Sequence, residues 1–526
     1  MSSAVQIAPA VESVQDKGTL APRNTPHPGT KGPDSPNPLR AVFWNVLRLC
    51  ITTLAALVSS AVVARALGPS SMGLYSYALW VTGIVVALCH FGLPTAATKF
   101  IAEFMGKKNG QQARLVARKV LAAQGLIAMV MSISAALVLR HSLLKTSGLW
   151  VLAVLLVLPL VLQQTLVGIL FGAQAFGRIA VCSSVTSLIQ TGLVLVAWRL
   201  GGSVRQFLIA LLIANIVSAV MYWVAISGAM PRVDNEQRSQ SVPDTRVILR
   251  FAGPVAYFVL LDMVVWQRSE VYFLKQSFLW QEIAFYSISY LLVNRLTELL
   301  TSATSTLLPI QAFDSASGPI GVGRTHTRAL CALQMAVLPM CAITSILAKP
   351  VILAIYGAAY SRVVQIILIL LLSPIAITLT HVGIATVYAL NKQRAIILPV
   401  TATAVVNLLL AYKLVPRWGA MGAAAANSTA QLAEGLFLIL FSSHLLGARV
   451  PWNRLSRIYA AAVLTFSPAA ILSANGSSIV IVVSVLTLGG AAYLALLVWQ
   501  QEIQAREWKA IVAAVSIGRR SHVAID

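Results

Sequence analysis

The fold is decided by residues 41–99, which begin with the apolar run AVFWNVLRLCITTLAALVSSAVVARA at 41–66 and continue into the turn LGPSSMGLY at 67–75. The run is about 26 residues long, or roughly 39 Å at 1.5 Å per residue, and exceeds the roughly 30 Å hydrocarbon core of a bilayer. A second apolar run follows at 74–98. The stretch therefore predicts two membrane-spanning helices joined by a tight turn.

The composition of the whole chain supports the same class of protein. Of its 526 residues, 58% are hydrophobic and only 10% are charged, whereas about a quarter are charged in soluble globular proteins. The net charge of +23 would suit nucleic acid, but Lys and Arg are more than twice as frequent on one side of the predicted spans. Topology therefore explains the excess, and we expect no nucleic-acid partner.

About fourteen apolar segments are predicted, which makes the chain an all-α integral membrane protein. They run approximately over 41–66, 74–98, 115–139, 149–172, 179–198, 206–227, 249–273, 283–308, 328–348, 363–389, 395–415, 419–443, 455–473 and 478–499. An even number places both termini on one side, and the Lys and Arg bias makes that side cytoplasmic. Residues 1–40, polar and rich in proline, are predicted to form a disordered cytoplasmic tail.

Several short motifs resemble the polysaccharide and oligosaccharide flippases of the multidrug/oligosaccharidyl-lipid/polysaccharide (MOP) exporter superfamily. The resemblance covers roughly residues 41–500. The motifs are Ala64 to Pro69, Gly73-Leu74-Tyr75, Phe91 to Pro94, Lys99 to Glu103, Gln174 to Arg178, Leu249 to Pro254 and Trp418 to Ala424.

The resemblance implies two six-helix lobes around a central cavity. The N-terminal lobe would be 41–227, the C-terminal lobe 249–443, and two further helices would occupy 455–499. A charged cytoplasmic loop, 228–248, would join the lobes, and 500–526 would form a cytoplasmic tail. Similar sequences at 73–78 and 284–289 (GLYSYA and AFYSIS) open segments 2 and 8, as a parallel repeat of six helices would require.

Arginines inside the apolar segments are the main candidates for substrate binding. Arg295 lies about twelve residues from either end of segment 8, too deep to reach water, and Glu298 is one helical turn away. The two side chains either form a structural ion pair or contact a ligand in a cavity. Arg48 either lines a cavity, together with Asn45 and Thr52, or extends its side chain to the cytoplasmic surface.

The other candidate charges lie nearer the ends of segments. For Lys99 and Arg65, interfacial anchoring is the favoured interpretation, although Lys99 is also a candidate for substrate binding. Arg268 and Glu270 either pair with each other or guard an entrance to the cavity. Among the relatives the position of Glu270 often carries Asp, so this chain keeps the acid but gives it a longer reach.

A second group of polar residues suggests energy coupling. Asp262 in segment 7, Asn407 in segment 11, and Asn427 and Thr429 in segment 12 supply oxygens of the kind that hard cations prefer. Coupling to Na+ or H+ is therefore predicted, with no other cofactor. Interhelical hydrogen bonds alone are an equally valid interpretation.

The predicted function is a non-enzymatic flippase of the bacterial cytoplasmic (inner) membrane. It would move a polyprenyl-(pyro)phosphate-linked oligosaccharide from the inner to the outer leaflet by alternating access, for cell-surface polysaccharide biosynthesis. The expected partners are this lipid-linked substrate, membrane lipids and other polysaccharide export proteins, and the chain is expected to be a monomer. The alternatives are a cation-coupled multidrug exporter of the same superfamily, or a membrane-embedded glycan polymerase or ligase.

Overall fold

The computed structural model describes the helical part of the chain. The ranges are 38–106, 109–140, 148–229, 268–277, 280–304, 307–314, 318–390 and 392–500, with five single positions between 253 and 265. Every regular element within these ranges is a helix. The predicted all-α class is therefore confirmed. The tails at 1–37 and 501–526, the loop 228–248 apart from its first two residues, and the candidate Asp262 lie outside the described residues.

Six helices form the first half of the described chain. They are α1 (Pro38–His90), α2 (Leu93–Gly106), α3 (Gly110–Leu139), α4 (Leu149–Gly172), α5 (Phe176–Arg199) and α6 (Val204–Ala229). Helix α4 packs on α2, α3 and α6, while α5 packs on α1 and α6.

The second half contains shorter helices as well as long ones. They are α7 (Glu270–Ser277), α8 (Trp280–Thr304), α9 (Leu307–Asp314), α10 (Gly318–Ile355), α11 (Arg362–Leu370), α12 (Leu372–Ala389), α13 (Ile397–Trp418), α14 (Ala420–Leu445), α15 (Trp452–Ala474) and α16 (Ile479–Trp499). Short 3₁₀ turns cover Ala358–Tyr360 and Gln393–Ile396. Helix α14 packs on α12 and α13, and α15 packs on α10 and α16.

Helix α1 contains the two segments that the opening stretch predicts. Gly68 has φ 66° and ψ 171°, outside the helical region, and this left-handed φ is tolerated because glycine has no Cβ atom. Pro69 follows at once, where its fixed φ and missing N–H suit the first turn of a new helix. The connection is thus a one-residue break, and the second helix begins five residues earlier than the predicted residue 74.

The predicted segment 74–98 is wrong at its other end. The helix stops at His90, since Phe91 (φ 41°) and Gly92 (φ 67°) both leave the helical region, and α2 begins at Leu93. The same apolar run therefore serves two helices. Hydropathy could not reveal this, because the break changes backbone direction without changing polarity.

Eleven helices in the described ranges are long and apolar enough to cross a membrane. Helix α1 counts once among them although it holds two segments. Helix α8 is not among them, and its sequence includes Glu282, Arg295 and Glu298. The remaining difference from fourteen is the segment 249–273, most of which lies outside the described residues. Side chains that point away from the bundle are often large and apolar, as at Ile133, Val463 and Leu488, which suits contact with lipid.

The two halves meet mainly where α1 packs along α8. The first of the two similar sequences, 73–78, meets Trp280 there, four residues before the second. A Cβ atom on Gly73 would lie 1.8 Å from the backbone oxygen of Trp280, so only glycine allows this approach. The rings of Tyr77 and Trp280 are 5.4 Å apart between centroids. The halves are thus in direct contact at this end of the molecule.

Candidate substrate cavity

A cavity of about 960 Å³ lies between the two halves. Helices α1 and α5 form one wall, and α8, α12, α13 and α14 contribute to the other. Its lining includes charged side chains from both halves, namely Arg48, Arg295, Glu298 and Glu434. Hydroxyl, amide and imidazole groups from residues such as Ser187, Gln190, Tyr290 and His381 accompany them. A cavity with this lining can hold a polar head group inside a membrane protein.

Arg48 lies on the cavity wall formed by α1. Thr52, one turn later, also lines the cavity, and its hydroxyl donates a hydrogen bond of 2.9 Å to the carbonyl oxygen of Arg48. The structure thus places Arg48 where the cavity-lining interpretation requires. Whether it binds a substrate stays a prediction.

Arg295 and Glu298 form an ion pair on the opposite wall. Nη1 of Arg295 lies 2.7 Å from Oε2 of Glu298, and the two side chains are 29% and 38% exposed. Asn294 donates a hydrogen bond of 3.2 Å to the other carboxylate oxygen, Oε1. The two interpretations of this pair are therefore compatible, since the residues are bonded to each other and also face the cavity. The pair engages one nitrogen of a guanidinium group that carries five N–H donors.

The other three candidates for substrate binding are not among the residues that line the cavity. Lys99 is exposed on α2, and its ammonium group lies 5.2 Å from the ring centroid of Phe100. Arg268 has φ 62°, and its guanidinium lies 5.4 Å from the ring centroid of Tyr290, which does line the cavity. Among the described residues, no salt bridge joins Arg268 to Glu270.

Glu270 is fully buried at the start of α7 and is bonded by neutral groups from three other helices. Its carboxylate accepts hydrogen bonds from the Tyr286 hydroxyl (2.9 Å), from Nδ2 of Asn407 (2.8 Å) and from Nδ2 of Asn427 (3.1 Å). Gln431 extends this cluster, since its Nε2 donates a hydrogen bond of 2.9 Å to Oδ1 of Asn427. We call Glu270, Tyr286, Asn407, Asn427 and Gln431 the buried glutamate cluster.

The cluster contains only part of the predicted cation site. Asn407 and Asn427 do come together, since both bond the carboxylate of Glu270. Thr429 is exposed on α14 and points away from them, because residues two apart on a helix face different directions. Within the described ranges, no group of three or more His, Cys, Asp or Glu side chains could hold a metal ion.

One end of the space between the halves is closed by a set of contacts that we call the latch. On α1 it comprises Ser60, Ala64, Arg65 and Gly73, and on the second half Trp280, Ala354, Ile355, Tyr356 and Tyr360.

The latch is held by hydrogen bonds as well as by close packing. Nε of Arg65 donates to the carbonyl oxygen of Ile355 (2.7 Å), and Nη2 of Arg65 bonds that of Ala354. Ser60 and Tyr356 share a hydroxyl–hydroxyl bond of 2.7 Å, and the Tyr360 hydroxyl donates 2.8 Å to the oxygen of Ala64. Arg65 thus joins the two halves, a role that its interpretation as an interfacial anchor missed.

The latch and the charged part of the cavity lie at different depths. Twelve residues separate Arg48 from Ser60 on α1, which corresponds to roughly 18 Å along the helix. The described contacts therefore close one end of the molecule, while Arg48 lies on the side of the N-terminus.

Sequence reasoning also missed part of the cavity lining. His381 bonds Thr304 (2.5 Å) and lines the cavity as well, although a single histidine in an apolar segment is usually a packed residue. Tyr290 and Tyr388 gave no signal, since an aromatic residue in an apolar helix is usually a packing residue.

Residues 39–312 match a family described as polysaccharide biosynthesis protein. The chain belongs to this family. The match runs from the second residue of α1 to two residues before the end of α9. It therefore includes the latch residues of α1 and the Arg295–Glu298 pair. A search of curated protein sequences finds no match to this chain.

Solved structures of low sequence identity share the fold. The lipid II flippase MurJ, in an inward closed conformation, matches with a TM-score of 0.66 and 14% identity, over 88% of this chain and 99% of its own. An inward-facing multidrug resistance MATE family transporter of the MOP superfamily matches with a TM-score of 0.59 and 16% identity, over 76% of this chain and 98% of its own. An outward-facing MATE transporter of the same superfamily matches with a TM-score of 0.53 and 17% identity, over 78% of this chain and 95% of its own. The predicted resemblance to the MOP superfamily is thereby confirmed at the level of family and fold.

Proposed function

We propose that this protein is a flippase that carries a polyprenyl-(pyro)phosphate-linked oligosaccharide from the inner to the outer leaflet for cell-surface polysaccharide biosynthesis. It would do so by alternating access, without making or breaking a covalent bond. The observation that supports this most directly is the cavity between the halves, with Arg48 on one wall and Arg295 on the other. Family membership supports the link to polysaccharide biosynthesis.

The chemistry of the cavity suits an anionic head group. A phosphate or pyrophosphate cannot enter hydrocarbon without replacing its hydration shell. Guanidinium groups are planar and permanently charged, and they donate paired hydrogen bonds to phosphate oxygens. The hydroxyl and amide groups of the lining would receive the sugar, while the polyprenyl chain remains in the bilayer.

Alternating access would use the latch as its outer gate. With the N-terminus in the cytoplasm, as the positive charge predicts, the latch lies at the outer end and Arg48 nearer the cytoplasm. The described contacts then correspond to a state closed to the outside.

The buried glutamate cluster is our candidate for coupling to Na+ or H+. Glu270 is a buried carboxylate held only by neutral donors, so it could take up a proton directly. Rotating the amide groups of Asn407 and Asn427 by 180° would instead present carbonyl oxygens, the ligands that hard cations prefer. Either event would change the charge where α7, α8, α13 and α14 meet.

A multidrug exporter is the second candidate, because the MATE structures share the fold and both Glu298 and Glu434 line the cavity. Carboxylates in a cavity would attract cationic drugs. However, Glu298 is bonded to Arg295, and Arg48 adds positive charge on the facing wall. The basic groups favour an anionic cargo.

The deciding experiment compares polyprenyl-linked glycans on the two membrane faces in cells with and without this gene. We expect one defined glycan to build up on the cytoplasmic face without the gene, and the intact protein to relieve this build-up. Arg295→Ala should fail to relieve it, whereas Lys99→Ala, a cation outside the cavity, should succeed.

Two other outcomes would contradict the proposal. Accumulation of unpolymerised glycan already outside would favour a polymerase or ligase. Unchanged glycan pools together with lower tolerance of cationic drugs would favour the exporter.

A further inference from the structure

A second, separate pocket of about 460 Å³ lies where α10 begins and α14 ends. Three arginines line it: Arg324 and Arg328 on α10, and Arg454 on α15. The turn at Leu446, Gly447 and Ala448 forms its remaining edge. Gly447 has φ 61°, which ends α14 and brings this turn beside the arginines.

The spacing of Arg324 and Arg328 places both positive charges on the side of α10 that lines the pocket. Arg324 and Arg328 are four residues apart, so they lie on the same face of α10. In the part of the chain that the structure describes, neither of them forms an ion pair. The nearby Asp314 instead accepts a hydrogen bond from Thr325 and is not part of the lining. No acidic side chain is among the described residues that line the pocket.

The pocket lies at the level of a membrane surface. Arg324 precedes Ile355, a latch residue, by 31 positions, or about 46 Å along α10, so the pocket is at the end opposite the latch. From Ile320 onward, α10 is apolar enough to span a membrane. Trp452 beside the pocket is 53% exposed, and exposed tryptophans mark the membrane–water interface.

We propose that this pocket binds the phosphate of an anionic phospholipid head group on the cytoplasmic leaflet. Guanidinium groups from two helices fit phosphate oxygens by paired hydrogen bonds, and basic pockets between membrane helices bind such head groups. The position on α10, which runs from this surface to the latch, would let the lipid stabilise α10 against α14 and α15. The inference does not depend on the proposed substrate of the central cavity.

The test uses the purified full-length protein and phosphatidylglycerol as the probe, with bound lipid counted by native mass spectrometry. We expect phosphatidylglycerol to bind well above phosphatidylcholine. Arg324→Gln/Arg328→Gln should weaken phosphatidylglycerol binding about 30-fold. The matched control is Arg449→Gln/Arg457→Gln, which removes the same charge from nearby residues that do not line the pocket.

Equal weakening by both double variants would overturn the proposal, because the effect would then be general surface charge. Equal binding of the two lipids would also overturn it. Soluble glycerol 3-phosphate serves as a competitor, and displacement of phosphatidylglycerol at equal concentration would assign the pocket to a soluble phosphate instead.

A second measurement uses the unaltered protein, so it still tests the proposal if the double variant fails to fold. Vesicles containing a photoactivatable phosphatidylglycerol are illuminated with the unaltered protein. Labelling of peptides 318–328 and 446–454 supports the pocket, and labelling confined to other peptides overturns it.

Discussion

Arg295 and Glu298 are one helical turn apart on α8, and their ion pair faces the cavity rather than the interior of the bundle. A partly exposed pair of this kind contributes only about 0–1 kcal/mol to stability. The pair therefore affects the charge of the cavity wall more than the stability of the fold. An anionic head group that enters the cavity can compete with Glu298 for the guanidinium, which would make binding reversible.

Replacing Arg295 tests whether its planar group is needed. Arg295→Ala should lower flipping of a lipid-linked oligosaccharide about 10- to 100-fold, the effect of losing charge-assisted hydrogen bonds. Arg295→Lys keeps the charge but loses the paired donors, so we expect a comparable loss. Flipping is measured in reconstituted vesicles. Full activity of both variants would rule out the assigned role.

Replacing Glu298 separates the two interpretations of the pair. Glu298→Gln removes the competing carboxylate, so a polyprenyl diphosphate should bind several-fold more tightly and be released more slowly, with little change in the melting temperature. Binding and thermal unfolding are measured on the same purified sample. A large fall in melting temperature with unchanged binding would show instead that the pair is structural.

At the scale of elements, α1 connects the cavity, the break at Gly68 and the latch. Because Gly68 leaves the helical region, the segment after it can run back beside α8. Gly73 then lies against the backbone of Trp280, and Arg65 reaches the end of α10. A gate built from one helix and the ends of two others can open without unfolding any of them.

Gly73→Ala should prevent the latch from closing. The added Cβ would lie 1.8 Å from the oxygen of Trp280, so the halves must separate at this end. Gly83→Ala on the same helix is the control, since its Cβ meets no atom within 4 Å.

The opening can be measured as a distance between spin labels at Leu200 and Arg417, which are exposed at the latch end of the two halves. The exposed Cys50 is first replaced by Ser, and the other four cysteines are buried. We expect a longer mean distance in Gly73→Ala than in Gly83→Ala. Identical distance distributions would contradict the role of the latch.

At the scale of the whole molecule, transport requires that a charge in one half changes the contact between the halves. Glu270 begins α7, and its partner Tyr286 lies on α8, the helix that packs along α1. A change of charge on Glu270 would therefore act directly on the helix that carries Trp280 of the latch.

Glu270→Gln should abolish the response of flipping to a Na+ or H+ gradient. One coupled charge at 100 mV corresponds to about 2.3 kcal/mol, or about a 50-fold change in the equilibrium. Thr429→Val, an exposed position on α14, should leave the response unchanged. Flipping is measured in vesicles with each gradient imposed separately, and a full response in Glu270→Gln would contradict the assignment.

The sequence by itself determined the fold class, because the apolar runs are long enough to lie in a bilayer, where backbone N–H and C=O groups must bond within helices. It also identified Arg48 and Arg295 as unusual, since a charge within an apolar run is costly wherever it faces. It did not determine where one helix stops and the next begins inside a continuous apolar run, as the break at Phe91 and Gly92 shows.

Only the tertiary structure decided which residues act together. Two partners of Glu270, Asn407 and Asn427, lie 137 and 157 positions away along the chain. Arg65 likewise bonds carbonyl oxygens 289 and 290 positions away. Thr429 lies two residues from Asn427 on α14 but is exposed, whereas Asn427 is buried. Sequence records depth in the membrane through spacing, whereas the direction of a side chain depends on how each helix is rotated and packed against its neighbours.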